Sequence, residues 1–295
     1  MELRQMRYFT TLAQERNFHR AAERLHMTQP PLTRQIRMLE DEVGAPLFIR
    51  TAKGVELTDA GQTLFDDAPK VLALAQLATD RAKRTGAGLL GQLDVGIFGS
   101  GVLNVIPKIL AAFHAARPDV KIRLHNMTKG EQIEALRERR ITIGFHRLPP
   151  AEKDLKVHLV LREPMLVGLF EGHPLCAKKT ISLQDLEDQP MILYPNTPMR
   201  GMAQEIISAF QKEKVRLCIE QEVEDVTTCV ALVSGRFGLC ITTESGGNLR
   251  LPGMVYRPLK SRFLKDIELS CIHNANDKSP VLAALLQVIR KFPKT

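Results

Sequence analysis

The 295-residue sequence lacks any run of about 18 uncharged apolar residues, the length that a helix needs to cross a bilayer. Its first residues, MELRQMRYFTTLAQERNF, also lack the apolar segment of a signal peptide. Both absences argue against secretion and against a transmembrane segment. We therefore expect a cytoplasmic protein with no membrane partner.

Motifs that would indicate an enzyme are absent as well. There is no P-loop, and the segment FGSG departs from G-x-S-x-G because Phe98 stands at the first glycine position. A G-x-G-x-x-G match, GAGLLG at 86–91, follows a predicted helix and precedes a strand, so it lacks the strand-turn-helix context of a dinucleotide-binding site. His173 stands alone in EGHPL, and no H-x-x-H cluster offers the spacing of metal ligands. We expect no catalytic residues, no metal and no cofactor.

Cysteine is scarce, and no C-x-x-C motif occurs. An odd number of cysteines without such a motif is typical of reduced thiols in the core of a cytosolic protein. Three of them are regularly spaced, which leaves a thiol-based redox regulator open as an alternative, although no flanking cations would lower their pKa values. The five cysteines are Cys176, Cys218, Cys229, Cys240 and Cys271, and the regularly spaced three are the second to the fourth.

The sequence does contain enough apolar residues, 44%, to build the cores of two or three domains. The formal net charge of +8 permits an anionic partner without naming one. Residues 3–39 hold seven arginines against two acidic residues, so the positive charge is concentrated there. Every basic residue before Lys53 is arginine, whose planar fork suits phosphate and guanine.

The first 45 residues carry three apolar stripes at helical spacing, which predict three short helices. Asn17 and Thr28 are suited to cap the second and third helices, which a short turn separates. The stripes are Leu3, Met6, Phe9 and Ala13; Phe18, Ala21, Ala22 and Leu25; and Leu32, Ile36, Leu39 and Val43.

The third helix begins with two prolines, which fit a first turn because their missing N–H groups would have had no partner within the helix. Opposite its apolar stripe it carries hydrogen-bond donors. Two helices joined by a short turn, with donors at the start of the second, are typical of a helix-turn-helix that enters the DNA major groove. The alternative is a small packing module with a solvated arginine face. The residues of this helix expected to contact DNA are Gln29, Pro30, Pro31, Thr33, Arg34 and Arg37.

Two short strands around Gly54 then predict a wing that brings Arg50 and Lys53 to the DNA backbone or minor groove. Thr58 is suited to cap a long helix that follows. The apolar stripe of this helix is too long for one small domain to cover, so we expect it to pair with a second copy of the chain. The stripe contains Leu64, Phe65, Ala68, Leu72, Ala75 and Ala78, and the first, second and fourth of these are expected at the seam.

Three segments carry a resemblance to a known family: ELRQMRYF, NFHRAAERLHMTQPPLTRQIRMLEDEVGAPLFIR and LTDAGQTLF. They are similar to the winged helix-turn-helix and linker helix of LysR-type transcriptional regulators, and the likeness extends through the rest of the chain. The resemblance implies a DNA-binding dimer, usually assembled into a tetramer. It also implies a C-terminal α/β effector domain of two lobes with a periplasmic-binding-protein-like fold, and RNA polymerase as a further partner. Pro69 departs from an unbroken linker helix, and we interpret it as a bend that does not end the helix.

Beyond the linker, strands and helices alternate, which is typical of a parallel α/β domain. A glycine-rich run at 86–91 is the expected hinge. The predicted domains are a winged helix-turn-helix over 1–58, a linker and dimerisation helix over 59–87, and an effector domain over 88–295, with lobe I over about 91–162 and 266–295 and lobe II over about 163–265. The predicted strands are 92–98, 120–126, 141–145, 165–170, 191–194, 217–222 and 267–273, and the predicted helices are 102–116, 129–139, 201–211, 226–233 and 280–292.

In the layout of the family, a ligand cleft lies between the two lobes at the strand ends. Helix N-termini, hydroxyls and arginine favour an anion there, and a small carboxylate is the expected effector. The segments MTK, GFHR and LYP most resemble the catabolic branch, which responds to benzoate, muconate or chlorocatechol-derived dicarboxylates. That branch usually has a proline and an aromatic residue at two positions where this chain differs, and the added arginine favours a second acidic group on the ligand. The expected effector contacts are Ser100, Thr128, His146, Arg147, Arg200 and Met202, the last two being the positions that differ.

Each of these residues has a second interpretation that the sequence leaves open. Ser100 and Thr128 fit helix caps, His146 fits a structural role, and Arg147 and Arg200 fit the surface. For the whole protein, the alternatives are a redox-responsive regulator of the same fold and, less favoured, an enzyme that uses the cleft. A purely architectural DNA binder would not need about 200 residues of cleft-forming domain.

Overall fold

The structure is a computed structural model that describes residues 1–51, 54–194 and 199–292. It consists of two compact units, Met1–Arg84 and Thr85–Thr295. Within the described ranges, no helix is both long enough and apolar enough to span a bilayer.

The N-terminal unit contains the three predicted short helices. Asn17 caps the second, because its side-chain oxygen accepts hydrogen bonds from the backbone N–H groups of His19 and Arg20 at 2.9 and 3.2 Å. Thr28 stands at the N-cap position of the third, but its hydroxyl makes no capping bond. The elements of this unit are α1 (Leu3–Glu15), α2 (Phe18–Arg24), α3 (Gln29–Val43), β1 (Phe48–Thr51), β2 (Gly54–Leu57) and α4 (Asp59–Gly86).

The apolar stripes form the core of this unit, with two exceptions at helix ends. Phe9, Leu32 and Leu39 are fully buried, as their spacing predicts. Leu3 and Val43 are 46% and 43% exposed, so these two residues of the stripes lie outside the core. Leu3 is the first residue of α1 and Val43 is the last residue of α3. At these ends the stripe extends beyond the neighbouring helices that cover the rest of it.

The wing is fixed at its base by backbone contacts. Strands β1 and β2 pair antiparallel, with Thr51 opposite Gly54. Gly54 has a φ of 132°, and a Cβ atom there would lie 2.3 Å from the carbonyl oxygen of Arg16, so only glycine fits. On the other side, a carboxylate oxygen of Glu40 accepts from the N–H of Leu47 at 2.8 Å. The hairpin is therefore tied to the ends of both α1 and α3.

Helix α4 starts where predicted, since the hydroxyl of Thr58 accepts from the N–H of Gly61 at 2.9 Å. It runs over 28 residues with Pro69 inside it, so the proline does not end the helix. Leu64 and Phe65, expected at a dimer seam, pack against the core of their own unit. The large apolar side chains that α4 does expose are Val71 (40%), Leu74 (65%) and Leu77 (55%).

The C-terminal unit is a mixed α/β structure in which every predicted strand and helix has a counterpart. Its strands are β3 (Gly91–Ile97), β4 (Val120–Asn126), β5 (Ile143–Arg147), β6 (Leu155–Phe170), β7 (Ile181–Ser182), β8 (Pro190–Leu193), β9 (Cys218–Glu222), β10 (Leu239–Thr243), β11 (Met254–Lys260) and β12 (Asp266–Asn274). Its helices are α5 (Val105–Ala116), α6 (Lys129–Arg137), α7 (Met202–Glu213), α8 (Val226–Ser234) and α9 (Pro280–Lys291), and a 3-10 turn, Gly99–Leu103, precedes α5.

The long strand β6 joins two lobes. Its first part pairs with β12, and its last six residues, 165–170, pair with β10 and β11. The first lobe has the strand order β4-β3-β5-β12-β6, and the second continues as β6-β10-β8-β9. Strands β3, β4 and β5 are parallel, as are β8, β9 and β10, but β12 and β6 are antiparallel to their neighbours. The predicted parallel order therefore holds for the outer strands of each lobe, and the central strands β12 and β6 depart from it.

Each lobe has its own core. In the first lobe, α5 and α9 cover the sheet, with Phe113 and Leu285 fully buried. In the second, α7 and α8 do so, with Phe210 and Val230 fully buried. Because the parallel strands of both lobes end with polar or glycine-rich segments, these ends are where a cleft can form.

Candidate functional site

A shallow groove on the N-terminal unit brings together most of the residues predicted to contact DNA. Its walls come from the outer face of α3 and from the end of β1. Pro31 is exposed but does not line it. Lys53 lies outside the described residues. The groove is lined by Gln29, Pro30, Thr33, Arg34, Arg37, Met38, Asp41 and Arg50.

The arginines of this groove have no carboxylate partner in the described ranges. Arg34, Arg37 and Arg50 are all exposed, and none forms an ion pair with a described residue. The guanidinium of Arg50 lies 5.9 Å from the ring centre of Phe18. This cation–π contact positions the Arg50 side chain without neutralising its charge. Thr33 donates its hydroxyl hydrogen to the carbonyl of Gln29 at 3.1 Å. The groove therefore exposes uncompensated guanidinium groups, which can donate paired hydrogen bonds to an anionic partner.

A cavity between the two lobes of the C-terminal unit forms the second site. Its enclosed volume is about 40 Å³, and about 450 Å³ when the open space at its mouth is included. It lies at the carboxyl ends of β3, β5 and β8, because Phe98 and Tyr194 directly follow β3 and β8, and Arg147 is the last residue of β5. The wall consists of Phe98, Gly99, Ser100, Lys129, Arg147, Tyr194, Gly201 and Met202.

Arg147 is the last residue of β5, and it is already paired. Its Nη2 group donates to the carboxylate of Glu163 on β6 and, at 3.4 Å, to the hydroxyl oxygen of Thr243. The side chains of Arg147 and Glu163 are 12% and 1% exposed. The hydroxyl of Ser245 donates to the other oxygen of Glu163. Arg147 thus lines the cavity as one half of a buried ion pair, while its Nε and Nη1 groups have no hydrogen-bond partner among the described residues.

Ser100 is buried in the 3-10 turn that follows β3, with its hydroxyl 3.1 Å from that of Thr243. The oxygen of Thr243 already accepts from Arg147 and from the N–H of Gly246. A hydroxyl oxygen has two acceptor sites, and both sites of Thr243 are occupied by these two donors, so Thr243 is the donor to Ser100. The hydrogen of Ser100 remains available to a ligand.

Lys129 is the first residue of α6, is only 8% exposed and lines the cavity. Its ammonium donates to the backbone carbonyl of Arg200 at 2.6 Å. Burial removes this ammonium from water and lowers the pKa of Lys129 to about 8. The sequence interpretation missed Lys129, although it directly follows a residue predicted to bind the effector.

Three of the predicted effector contacts lie elsewhere. The hydroxyl of Thr128 donates to the carboxylate of Glu131 at 2.8 Å within a capping box. Arg200 is exposed, and its Nε donates to Glu205 at 2.7 Å. His146 is buried against the side-chain oxygen of Gln132 at 3.1 Å. The structure therefore brings Ser100, Arg147 and Met202 together at the cavity and places the other three residues outside its wall.

The neutral groups beside the cavity stay neutral around physiological pH. Burial, together with the positive charge of Lys129, lowers the pKa of His146 to about 3. Burial raises the pKa of Tyr194, whose hydroxyl contacts that of Thr242. Neither side chain contributes charge to the cleft.

The thiols give little support to a redox switch. All five cysteines are free, and Cys229, Cys240 and Cys271 are buried. A hydrogen bond with Cys240 and burial raise the pKa of Cys229, and burial raises that of Cys271 to about 12, which suppresses the reactive thiolate. Within the described ranges, no group of three or more potential metal ligands occurs.

Comparison with known proteins gives the same two-part division. Residues 3–62 match the model of the bacterial regulatory helix-turn-helix proteins of the LysR family, and residues 86–293 match that of the LysR substrate-binding domain. The HTH-type transcriptional regulator ClcR of Pseudomonas putida is 34% identical over 98% of each chain.

Two solved structures extend the comparison. Full-length CbnR in complex with its target DNA has a TM-score of 0.89 at 31% identity, over 99% of each chain. The BenM effector-binding domain with its effector benzoate has a TM-score of 0.61 at 25% identity, over 68% of this chain and 91% of that one.

The chain belongs to the LysR family of transcriptional regulators. The predicted fold class is confirmed: an N-terminal winged helix-turn-helix with a long helix, and a two-lobed α/β effector-binding domain. The protein is a DNA-binding regulator and not an enzyme, so the alternative of catalysis in the cleft is wrong.

Proposed function

We propose that this regulator reads operator DNA through the groove on α3 and the wing, and that a small organic acid bound between the lobes controls it. The proposed DNA contacts are those predicted from the sequence, and α3 supplies the base-reading residues. The observation that carries the proposal is the row of three exposed arginines without carboxylate partners in the described part of the chain. We also propose that the protein acts in the cytoplasm.

The groove has the chemistry that DNA recognition needs. Arg34 and Gln29 on α3 provide side chains that form paired hydrogen bonds with guanine and adenine, respectively. Pro30 offers an apolar surface for a thymine methyl group. Arg50 stands on the wing, where a cation contacts the phosphate backbone. The similar protein CbnR is known in complex with its target DNA, which supports the same use of this domain here.

The cleft has the chemistry that an organic acid needs. Ser100 supplies a hydroxyl, Lys129 a cation, and Phe98, Tyr194 and Met202 supply apolar surface. The first turn of α7 also borders the cavity, and the positive end of a helix favours an anion. The similar domain of BenM binds benzoate, a small carboxylate, as its effector.

Self-association through α4 completes the proposal. Val71, Leu74 and Leu77 are large apolar side chains that α4 leaves exposed, and a second copy of α4 would cover them. Leu72 is half-buried, so it fits the edge of such a seam. We propose the seam around Leu74 instead of Leu64 and Phe65, because those two pack inside their own unit.

Replacing Arg34 with alanine tests the DNA-reading groove. We expect the loss of about 1–3 kcal/mol in binding to a duplex that the protein has selected from a random pool, with relaxed preference at one base pair. Arg24→Ala is the matched control, because Arg24 is also an exposed arginine but is bound to Glu15 at 2.9 Å. Binding measured by fluorescence anisotropy should change little in that control.

The pattern of losses decides the assignment. A loss confined to the selected duplex supports base reading by Arg34. An equal loss on selected and random duplexes would show that Arg34 contacts only phosphate, and the groove assignment for this residue would be wrong.

A further inference from the structure

The charged groups of the effector cleft can be counted. Its cations are Lys129 and Arg147, which line the cavity. Its carboxylate is that of Glu163, which forms a buried ion pair with Arg147. With all three ionised, this cluster carries one net positive charge. A buried cluster with an uncompensated charge is costly, so the ligand that fits it best brings one negative charge.

Arg147 cannot offer its full charge to a ligand. It already forms an ion pair with Glu163, which is 1% exposed and has Arg147 as its only cationic partner among the described residues. A ligand carboxylate that pulled Arg147 away would strand that buried anion. The Nε and Nη1 groups remain able to donate hydrogen bonds, but the positive charge of Arg147 is compensated within the protein.

Lys129 is the cation that has no anionic partner. Its ammonium has three hydrogens, and the only hydrogen bond found for it among the described residues goes to the neutral carbonyl of Arg200. Two hydrogens are left for other acceptors. Its lowered pKa reflects the same lack of compensation, since a nearby carboxylate would have raised it.

Arg200 does not add a second cation to the cavity. Its side chain is 77% exposed and pairs with Glu205, so this arginine is neutralised at the surface. His146 is buried and uncharged. The expectation that Arg200 would take a second acidic group of the ligand therefore lacks a free charge to support it.

We infer that the cleft selects monocarboxylates over dicarboxylates, with Lys129 as the residue that binds the single carboxylate. The free hydrogen of Ser100 is the second donor, and the apolar body of the acid packs against Phe98, Tyr194 and Met202. A second carboxylate would find no further uncompensated cation among the described residues of the cavity wall. This inference rests on the proposed function, namely control by an organic acid in this cleft.

Two acids with the same carbon skeleton test the selection. trans,trans-2,4-Hexadienoate carries one carboxylate, trans,trans-2,4-hexadienedioate carries two, and 2,4-hexadienamide carries none. Calorimetric titration of the full chain at pH 7 should give the monoacid at least about tenfold tighter binding than the diacid and the amide. Tighter binding of the diacid would overturn the inference.

Two variants of Lys129 locate the binding. Lys129→Met should weaken binding of hexadienoate by about tenfold or more, since it removes a charge-assisted hydrogen bond. Lys129→Arg should retain most of it, because the charge is kept. Unchanged binding in Lys129→Met would show that Lys129 is not the carboxylate partner.

Glu163→Gln changes the charge count in the opposite direction. It keeps a hydrogen-bonding side chain of the same shape beside Arg147 and Ser245, and raises the net charge of the cluster by one. We expect the preference for hexadienoate over the diacid to shrink by about tenfold or to reverse. An undiminished preference in a variant that circular dichroism shows to be folded would contradict the charge count. If this variant does not fold, the wild-type comparison still decides.

The outcomes separate the inference from the proposed function. Binding of the diacid in preference to the monoacid, abolished in Lys129→Met, would leave an acid-controlled cleft and overturn only the selectivity. Binding of neither these acids nor benzoate and benzene-1,4-dicarboxylate would overturn both the selectivity and the proposal of an organic-acid effector.

Discussion

The DNA-reading groove and the effector cleft use similar side chains in opposite environments. In the groove, Arg34, Arg37 and Arg50 are exposed and have no ion-pair partner among the described residues. In the cleft, Arg147 is 12% exposed and paired with Glu163, a residue 16 positions further along the chain. Water stabilises an exposed arginine while leaving it free to bind, whereas a buried arginine needs a counter-charge from the protein itself. Burial therefore determines whether an arginine is available to a partner.

The comparison also explains why a lysine is the free cation of the cleft. An ammonium that loses water can lower its pKa, so Lys129 tolerates burial without a carboxylate partner. A guanidinium keeps its charge, so Arg147 without Glu163 would be an unpaired buried charge. The two side chains in the same cavity thus have different roles.

The largest effect that we expect is on stability. Arg147→Met leaves the buried carboxylate of Glu163 unpaired and should lower the free energy of unfolding by about 3–5 kcal/mol. Arg147→Met with Glu163→Gln should recover much of that loss. Urea unfolding followed by tyrosine fluorescence reports mainly on this unit, because Tyr194 and Tyr256 lie in it and only Tyr8 lies in the other.

In the same unfolding experiment, Arg34→Ala is the comparison variant, because it removes an exposed arginine and not a buried one. Its free energy of unfolding should stay within about 0.5 kcal/mol of the wild type, since no folded-state contact of its charge is lost. Wild-type stability in Arg147→Met would show that the ion pair does not distinguish the two regions. Because we expect Arg147→Met to destabilise the fold, Lys129→Met is the more direct test of ligand binding.

A smaller effect concerns pH. The pKa of Lys129 is about 8, below its ordinary value of 10.5. Carboxylate binding needs the ammonium, so affinity should be constant below pH 8 and fall by up to about tenfold per unit above it. Calorimetric titrations of hexadienoate at pH 7, 8, 9 and 10 would measure this. Lys129→Arg should keep its affinity over the range, because a guanidinium stays charged.

The same shift has the opposite sign for the stability of the unliganded protein. Between pH 8 and 10.5 the unfolded chain binds the Lys129 proton more tightly than the folded chain, so the contribution of Lys129 to the free energy of unfolding rises with pH. His146 on β5 lies close enough to Lys129 for its charge to be felt, and Arg147 and Tyr194 line the same cavity. A flat affinity profile in the wild type would contradict the role of Lys129.

Sequence patterns predicted the N-terminal unit well because its signals are local. Helical periodicity located α1, α2 and α3, and the cap at Asn17 and the wing glycine, Gly54, were evident from residue type. The groove followed because the exposed face of α3 is simply the face opposite its apolar stripe. The departures were at the exposed helix ends, Leu3 and Val43, at Thr28, which makes no capping bond, and at Leu64 and Phe65, which pack in their own unit.

The C-terminal unit was harder because its central features join distant residues. The first ten residues of β6 carry several charged and polar side chains, among them the buried Glu163, so their pattern did not indicate a strand. Strands β10 and β11 were missed as well. The wall of the cleft was predicted at Ser100, Arg147 and Met202, which follow strands or start a helix.

The partners of those cleft residues could not be predicted from the sequence. Nothing near Arg147 in the chain shows that Glu163 neutralises it, since the two meet only through the folding of β5 and β6. Thr243 lies 143 positions from Ser100, and the hydrogen bond between their hydroxyls leaves the hydrogen of Ser100 free. A second acidic group on the ligand was expected because the local sequence shows Arg147 and Arg200 but not their carboxylates.

The most direct test of the account is whether the charge of Lys129 links the cleft to DNA binding. A ligand shifts the protein between arrangements only through different affinity for them, so hexadienoate should change the footprint or bending of the selected duplex. In the wild type we predict that change, and in Lys129→Met we predict none, with ligand-free DNA affinity equal in both. A Lys129→Met protein whose DNA complex still responded to hexadienoate at wild-type concentrations would contradict the account.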